Sequence, residues 1–271
     1  MTPPGLPAAW AVGEAVLLAE GVGGQVWRAR RSGEPVVVKH VSSQAASDAA
    51  AALAYLGRRD GAGAVRLLAA DGDWQMLEDA GVRTLTHVLD RDGDAAATAI
   101  AAEVLRALHA PSDRPAAGLQ TMAERFVALE TAARRDGGLF SEAEACLRGL
   151  SAEAVPAQAL HGDLHHDNIL FGARGWLAID PHGVLGDPAY DAANLLYNPL
   201  DRQDLRTDPM RARRLAEVLA PAVDRPPTAV LGYGFCHACL SAAWHLEDGD
   251  VEEAGRSLAT ARAIQAAFNA A

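Results

Sequence analysis

Through the first 80 positions, apolar residues fall in short runs broken by turn residues. AVLLAE (15–20), QVWRAR (25–30) and PVVVKHV (35–41) are brief β-prone runs, separated by the turn signals Gly21-Val22-Gly23-Gly24 and Arg31-Ser32-Gly33-Glu34. Ser47-Asp48 supplies cap chemistry for an Ala-rich helix predicted to run to about Leu56. AVRLLAA (64–70) and DWQMLED (73–79) read as a fourth and a fifth strand joined at Asp71-Gly72-Asp73. After Gly81 the period changes, and residues 84–90, 95–109, 121–136 and 141–150 recur at helical spacing. One further patch of β pattern is predicted at 169–180. Helical spacing then returns over 190–197, 210–220, 229–247 and 251–268, with DRPPTA (224–229) as a loop. The pattern predicts an α+β chain: a β-rich N-lobe with one main helix over 1–80, and a larger, mostly helical C-lobe over 81–271, joined near 79–83.

At 271 residues, 50% of them hydrophobic and 22% charged, the chain can bury a core in each of two lobes. Net charge is −11, from 24 Lys and Arg against 35 Asp and Glu. Such a chain repels polyphosphate backbones, which argues against nucleic-acid binding and suits a small cationic partner. Three Cys in a chain this long argue against a disulfide framework and for a reducing compartment. The start, MTPPGLPAAW, lacks the basic and apolar regions of a signal peptide, and no apolar run approaches the ~18 residues of a membrane span. A cytoplasmic monomer is expected.

LHGDLHHDNIL (160–170) concentrates three His, two Asp and one Asn just before a short apolar run. A zinc cage is one reading, but the order H-x-D-x-H-H does not give the converging His pair that zinc sites use. A nucleophilic triad is another, but the chain has no G-x-S-x-G elbow. Cys236-His237-Ala238-Cys239 lies in the apolar helical run GYGFCHACLSAAW and reads as buried core thiols. Phosphoryl transfer remains. His161-Gly162-Asp163 is followed by Asn168 five residues after the Asp, the spacing of a kinase catalytic loop. There a carboxylate accepts a hydrogen bond from the attacking hydroxyl, and a neutral oxygen ligand nearby holds Mg²⁺.

The flanking sequence supports this. ILF (169–171) and WLAI (176–179) form a predicted hairpin, with a three-residue loop ending at a left-handed Gly175. In that register Asn168 lies opposite Asp180, two oxygen ligands for Mg²⁺ at one end of a ribbon. Lys39 ends the run VVVK, where a cation is costly unless it has a purpose, and is read as binding the α/β-phosphates of ATP. A carboxylate on the next helix normally steadies such a Lys. Only Asp48 is available there, near the helix start, and it is either that partner or a cap. Gly23 and Gly24, in GVGG, would let backbone N–H groups approach phosphates, although no G-x-G-x-x-G is completed and a plain hairpin turn is the alternative. The connection Met76 to Ala80, through Glu78 and Ala80, would present backbone to adenine.

Together these residues resemble the aminoglycoside phosphotransferase family of the protein-kinase-like bilobal fold. LHGDLHHDNIL followed by WLAIDPHGVLGDPAYDAANLLYNP (176–199) is similar to its streptomycin 6-phosphotransferase and hydroxyurea-resistance kinase branch, as are GAVRLL (63–68) and LSAAW (240–244). The resemblance implies that Asp163 orients and deprotonates the acceptor hydroxyl, Asn168 and Asp180 bind Mg²⁺, and Lys39 contacts ATP. It also implies that His161 braces the loop and that Asp191 supports the structure as a helix cap. A polycationic acceptor calls for carboxylates and aromatic faces. Trp244, Glu247, Asp248 and Asp250, in AAWHLEDGD, and Asp187, after the metal Asp, are the candidates. The alternatives are a kinase of another small hydroxyl compound, such as a sugar or amino alcohol, and a catalytically inactive nucleotide-binding protein.

Overall fold

A computed structural model describes residues 3–271. The N-terminal strands are β1 (Val12–Gly21), β2 (Gly24–Arg31) and β3 (Glu34–Val41), followed by helix α1 (Ala46–Arg59) and strands β4 (Leu67–Asp71) and β5 (Trp74–Glu78). They form one antiparallel sheet in the order β1-β2-β3-β5-β4. Side chains alternate across it, as strand geometry requires. Trp27, Ala29, Val36, Val38 and Met76 bury one face together with Trp10, Val12 and Trp74. Val26, Val37, Lys39 and Leu77 belong to the other face and line the cleft between the lobes.

Helix α1 starts earlier than its cap residues predict. Ser42 caps a preceding 3₁₀ turn by accepting from the Ala45 N–H, so Ser47 and Asp48 lie inside the first helical turn. An Asp there still complements the helix N-terminus. The buried residues of α1 include Tyr55 and Leu56, which join the core of the C-lobe and not that of the sheet.

The C-lobe begins with β6 (Arg83–Thr84), α2 (Leu85–Asp92), α3 (Asp94–Leu108), β7 (Gln120–Thr121), α4 (Met122–Arg125), α5 (Val127–Asp136) and α6 (Gly138–Ser151). Then come β8 (Gln158–Leu160), β9 (Ile169–Gly172), β10 (Gly175–Ala178), β11 (Val184–Gly186), α7 (Ala189–Tyr197), α8 (Gln203–Arg206), α9 (Pro209–Leu219), α10 (Pro227–Glu247) and α11 (Val251–Asn269). The predicted helix over 121–136 is broken at buried Phe126, where φ −97° and ψ 10° leave the α region. More β structure is present than the single patch expected at 169–180. Two three-stranded sheets, β10-β9-β6 and β7-β11-β8, frame the segment LHGDLHHDNIL. Strands of two or three residues are too short to show a period, so they escape pattern reading. Helix α10 is apolar nearly all round and is buried continuously from Ala229 to Ala243, which makes it the axis of the lobe. Cys236 and Cys239 are buried in it as free thiols, matching their reading as core residues. No helix among the described residues is long and apolar enough to cross a membrane.

Gly24 is fixed by backbone approach. Its φ is +123°, and a Cβ there would lie 1.9 Å from the His40 carbonyl oxygen of β3, whereas Gly23 has open space around it. Gly24→Ala is therefore expected to destabilise the fold by about 1–3 kcal/mol in urea denaturation, and Gly23→Ala by less than about 0.5 kcal/mol.

Candidate active site

Strand β8 delivers the chain to His161, where the backbone is gripped from below. Asp191 has no exposed surface, and its carboxylate accepts from the His161 N–H at 2.8 Å and the Gly162 N–H at 2.7 Å, with His109 Nε2 3.1 Å away. Asp191 therefore supports the structure by holding the turn before Asp163, not by capping α7, whose N-cap is Pro188. Gly162 takes φ +82°, and a Cβ there would lie 2.6 Å from Val184 of β11. His161 is wholly buried and neutral. Its Nδ1 accepts from the Asp163 N–H at 3.3 Å and its Nε2–H donates to the Ile179 carbonyl at 2.8 Å. Burial pushes its pKa down in spite of the nearby Asp191 and Asp163. The His161 carbonyl in turn accepts from the His182 and Gly183 N–H groups at 2.8 and 3.1 Å. This bracing matches the role expected for His161.

With its backbone held, Asp163 turns its carboxylate into the cleft, 31% exposed. Asn168 Nδ2 donates to Asp163 Oδ2 at 3.2 Å and to its carbonyl at 2.9 Å. His165 Nε2 and His182 Nε2 stand 3.6 and 3.8 Å from Oδ2. Burial raises the pKa of Asp163, but the imidazoles of His165, His182 and His161 outweigh it and hold the carboxyl well below the usual range. It is a carboxylate at neutral pH.

The hairpin after Asn168 has a register one residue off the predicted one. Its turn is the two residues Ala173-Arg174, with Gly172 paired to Gly175 and Ile169 to Ala178. Gly175 does take a positive φ, +92°, but as the first paired residue of β10. Asn168 consequently faces Ile179, whose N–H donates to its carbonyl at 2.9 Å. Asp180 comes one residue later at φ 53°, an uncommon conformation for a non-glycine residue. Its side chain is 61% exposed and reaches Lys39, Nζ to Oδ1 2.6 Å. The carboxylate facing Lys39 is thus Asp180 of the C-lobe, not Asp48.

Gly23, Lys39, Val41, Asp48, Gln75 and Asp180 line a pocket of about 190 Å³. A neighbouring apolar pocket of about 160 Å³ lies against Leu18, Val37, Leu77, Glu78, Ala80 and Leu170. The Glu78 carboxylate is committed to both Arg174 Nε (2.7 Å) and Nη2 (2.6 Å), and the Glu78 N–H donates to the Arg66 carbonyl at 2.9 Å. Gly24 is pinned against the His40 carbonyl of β3, and of the two glycines only Gly23 lines the pocket. The donors suit a hard cation: Asp180 is exposed, and Asn168 Oδ1 is left over when its amide nitrogen binds Asp163. No group of three His, Cys, Asp or Glu forms a cage among the described residues. Mg²⁺ fits such a site, because it takes one or two protein oxygens and completes its shell with phosphate and water.

On the far side of Asp163 opens a cleft of about 530 Å³, lined by Asp48, Gln120, Glu124, Arg125, His182, Trp244 and Glu247. Of the residues proposed to meet the acceptor, Trp244 and Glu247 line this cleft. Asp248 instead ends α10, and Asp250 caps α11 by accepting from the Glu253 N–H. Asp187 is buried against Arg225, which reaches Oδ1 at 3.1 Å and Oδ2 at 3.0 Å, and it does not line the cleft. Sequence reading missed Arg125 and His182. His182 lies two residues beyond Asp180, which was a usable signal. Arg125 gives none, since a lone Arg after the capping box Thr121–Glu124 reads as a solvated helix residue. It is buried, with Nε 3.3 Å from Tyr190 Oη, Nη1 3.0 Å from His182 Nδ1, Nη2 3.2 Å from the Gly162 carbonyl, and its charge 4.8 Å above the Trp244 ring. Tyr190 Oη is also 3.1 Å from His237 Nδ1.

Residues 9–249 match the aminoglycoside/hydroxyurea antibiotic resistance kinase family. The streptomycin 3''-kinase of Klebsiella pneumoniae is 36% identical over 196 residues, 70% of this chain and 73% of that protein. The hydroxyurea phosphotransferase of Kitasatospora aureofaciens is 34% identical, covering 76% and 61%. The streptomycin 6-kinase of Streptomyces griseus is 32% identical, covering 79% and 72%. Among solved structures, a choline/ethanolamine kinase family protein from Mesorhizobium loti shares the fold with TM-score 0.64 at 17% identity, covering 97% and 96%. An aminoglycoside phosphotransferase in ternary complex with ADP and hygromycin B does so with TM-score 0.64 at 14% identity, covering 93% and 94%. The bilobal kinase-like architecture expected from the motifs is therefore observed.

Two outcomes follow from the buried groups. Asp191→Ala leaves two backbone N–H groups without an acceptor and should cost about 2–5 kcal/mol in urea denaturation. Burial, aided by Arg125, pushes His237 down to about 3 from 6.5. Between those values the unfolded chain binds a proton that the folded one refuses, so stability falls as pH falls from about 6.5 toward 3. Melting temperature should drop between pH 7 and pH 4.5, and His237→Gln should flatten part of that drop.

Proposed function

The chain belongs to the aminoglycoside/hydroxyurea antibiotic resistance kinase family, and from that premise we propose that it transfers the γ-phosphoryl group of ATP to a hydroxyl of a small cationic aminoglycoside, streptomycin first. One observation carries this reading. Asp163 stands at the mouth of a 530 Å³ cleft whose charged lining also holds Asp48, Glu124 and Glu247, against the single cation Arg125. A cleft of that volume suits a drug-sized ligand, and the surplus of carboxylates suits amines and guanidinium groups.

In the transfer, Asp163 accepts a hydrogen bond from the acceptor hydroxyl and orients it. A carboxylate with a depressed pKa is a weak base, so the proton passes to Asp163 as the bond to phosphorus forms and the bond to the ADP oxygen breaks. Lys39 meets the phosphates, and the adenine ring enters the apolar pocket lined by Glu78 and Ala80. Asn168 and Asp180 would hold Mg²⁺, which when bound neutralises charge on the phosphates. The 6-hydroxyl of streptomycin is the proposed position. Relatives named for the 3''- and the 6-position both support streptomycin, and product analysis decides between them. Phosphorylation there would inactivate the antibiotic.

The reading is tested by ADP release with Mg·ATP against streptomycin, other aminoglycosides, hydroxyurea and choline, with phosphorus–proton NMR of the product. Turnover is expected with streptomycin; turnover with choline or hydroxyurea alone would overturn the substrate assignment. Asp163→Ala should lose at least about 100-fold in kcat and keep nucleotide affinity within about threefold. Wild-type turnover in that variant would remove Asp163 from its role.

A further inference from the structure

Arg125 lies in the acceptor cleft, yet the transfer described above gives it no part. It is buried, and among the described residues it forms no ion pair with a carboxylate. Its guanidinium instead meets a phenol, an imidazole, a carbonyl and an indole face. A buried Arg without a counter-ion is costly, so the arrangement of those four contacts is where its purpose should be sought.

A guanidinium only donates hydrogen bonds. That fixes the direction of every bond it makes. Arg125 Nη1–H donates to His182, so His182 Nδ1 must be an acceptor without a proton, and the ring proton of neutral His182 must sit on Nε2. Nε2 is the atom that stands 3.8 Å from Asp163 Oδ2. Arg125 Nε–H likewise donates to Tyr190 Oη, which leaves the Tyr190 hydroxyl proton for His237 Nδ1. Arg125 Nη2–H donates to the carbonyl of Gly162, the residue immediately before Asp163, which also accepts from Asn194 Nδ2 at 3.3 Å. One side chain on the short helix α4 therefore links the turn that presents Asp163, which Asp191 and Asn194 also hold, to the polarity of the ring beside it. Without Arg125, neutral His182 can place its proton on either nitrogen, and one of the two forms turns a lone pair toward the carboxylate.

We propose that Arg125 is a positioning residue for phosphoryl transfer: it holds His182 with its Nε2–H facing Asp163 and fixes the Gly162 carbonyl of the catalytic turn. Arg125 also covers one face of Trp244, so the cations of an acceptor are met by the carboxylates of the cleft and not by that face. The proposal rests on the kinase reading for its catalytic part, but the state of His182 is measurable without any substrate.

The test combines imidazole nitrogen-15 NMR at pH 8 with a double-mutant cycle. In the wild type, His182 should show the Nε2–H tautomer alone; in Arg125→Met it should show a mixture. With the best acceptor, Arg125→Met should lower kcat by about 10–100-fold and leave KM for ATP within about twofold. His182→Ala should lower kcat to a similar level, and the double variant should be no slower than the slower single one. If Arg125→Met does not fold, Arg125→Lys replaces it, since Lys keeps the charge over Trp244 but loses the fork. A shift in tautomer with unchanged kcat, a fall in kcat with unchanged tautomer, or losses that multiply in the double variant would each overturn the proposal. If the wild type turns over no acceptor at all, the kinase reading fails, and a single Nδ1–H tautomer in the wild type would separately sink the role of Arg125.

Discussion

The site depends on one buried carboxylate. Asp191 has no exposed surface and directs both oxygens at successive backbone N–H groups, those of His161 and Gly162. A buried carboxylate is expensive unless its lone pairs are met, and here they are met by two backbone donors and His109. The backbone of the turn is consequently as fixed as the helix that carries Asp191. Asp163 can then be presented to the cleft without being tethered by its own side chain to the core. Gly162 is required for the same reason, because Val184 of β11 fills the space a Cβ would take. The two N–H groups of the turn are held by a carboxylate that does not line the cleft, and the Asp163 carboxylate is left with a weak amide contact and two imidazoles at longer range.

Local chemistry was legible in the sequence wherever it acts over a few residues. The spacing from Asp163 to Asn168 marks a contact the structure contains, and Lys39 at the end of the run VVVK does line the cleft. Errors arose where the outcome depends on a single residue of loop length or on a partner far along the chain. A two-residue turn in place of three moved the hairpin register by one, so Asp180 reaches the cleft through a left-handed backbone step and not by standing opposite Asn168. The carboxylate against Lys39 is 141 residues away in sequence, so no inspection of the following helix would have found it. Asp187 was read as a ligand because of its place in the motif, but Arg225 from the loop before α10 claims it. Arg125 was invisible for the complementary reason. Its burial is created by α7, α10 and the Asp180 loop, none of which is near it in sequence.

Charge is divided in the same way. The overall −11 suggested a cationic partner, and the carboxylates of the acceptor cleft agree with it. The one cation in that cleft is not there to balance them. It contacts neutral groups and the Trp244 ring, which keeps it from closing an ion pair across the opening. The nucleotide side is arranged oppositely, with a cation of the sheet and a carboxylate of the C-lobe in direct contact.

The packing of α1 has a mechanical corollary. Tyr55 and Leu56 belong to the large C-lobe core, whereas Trp10, Trp27 and Trp74 form a separate cluster on the other face of the sheet. Asp48 rides on α1, so the wall it gives the acceptor cleft stays with the C-lobe if the sheet tilts over a nucleotide. The bidentate Glu78–Arg174 link sits at the pivot, between the last strand of the sheet and the tip of the β9–β10 hairpin. The pocket beside Lys39 is lined by the sheet, α1 and the Asp180 loop, whereas the cleft beside Asp163 takes no lining residue from the five strands, so a tilt of the sheet would reshape the first and leave the lining of the second in place.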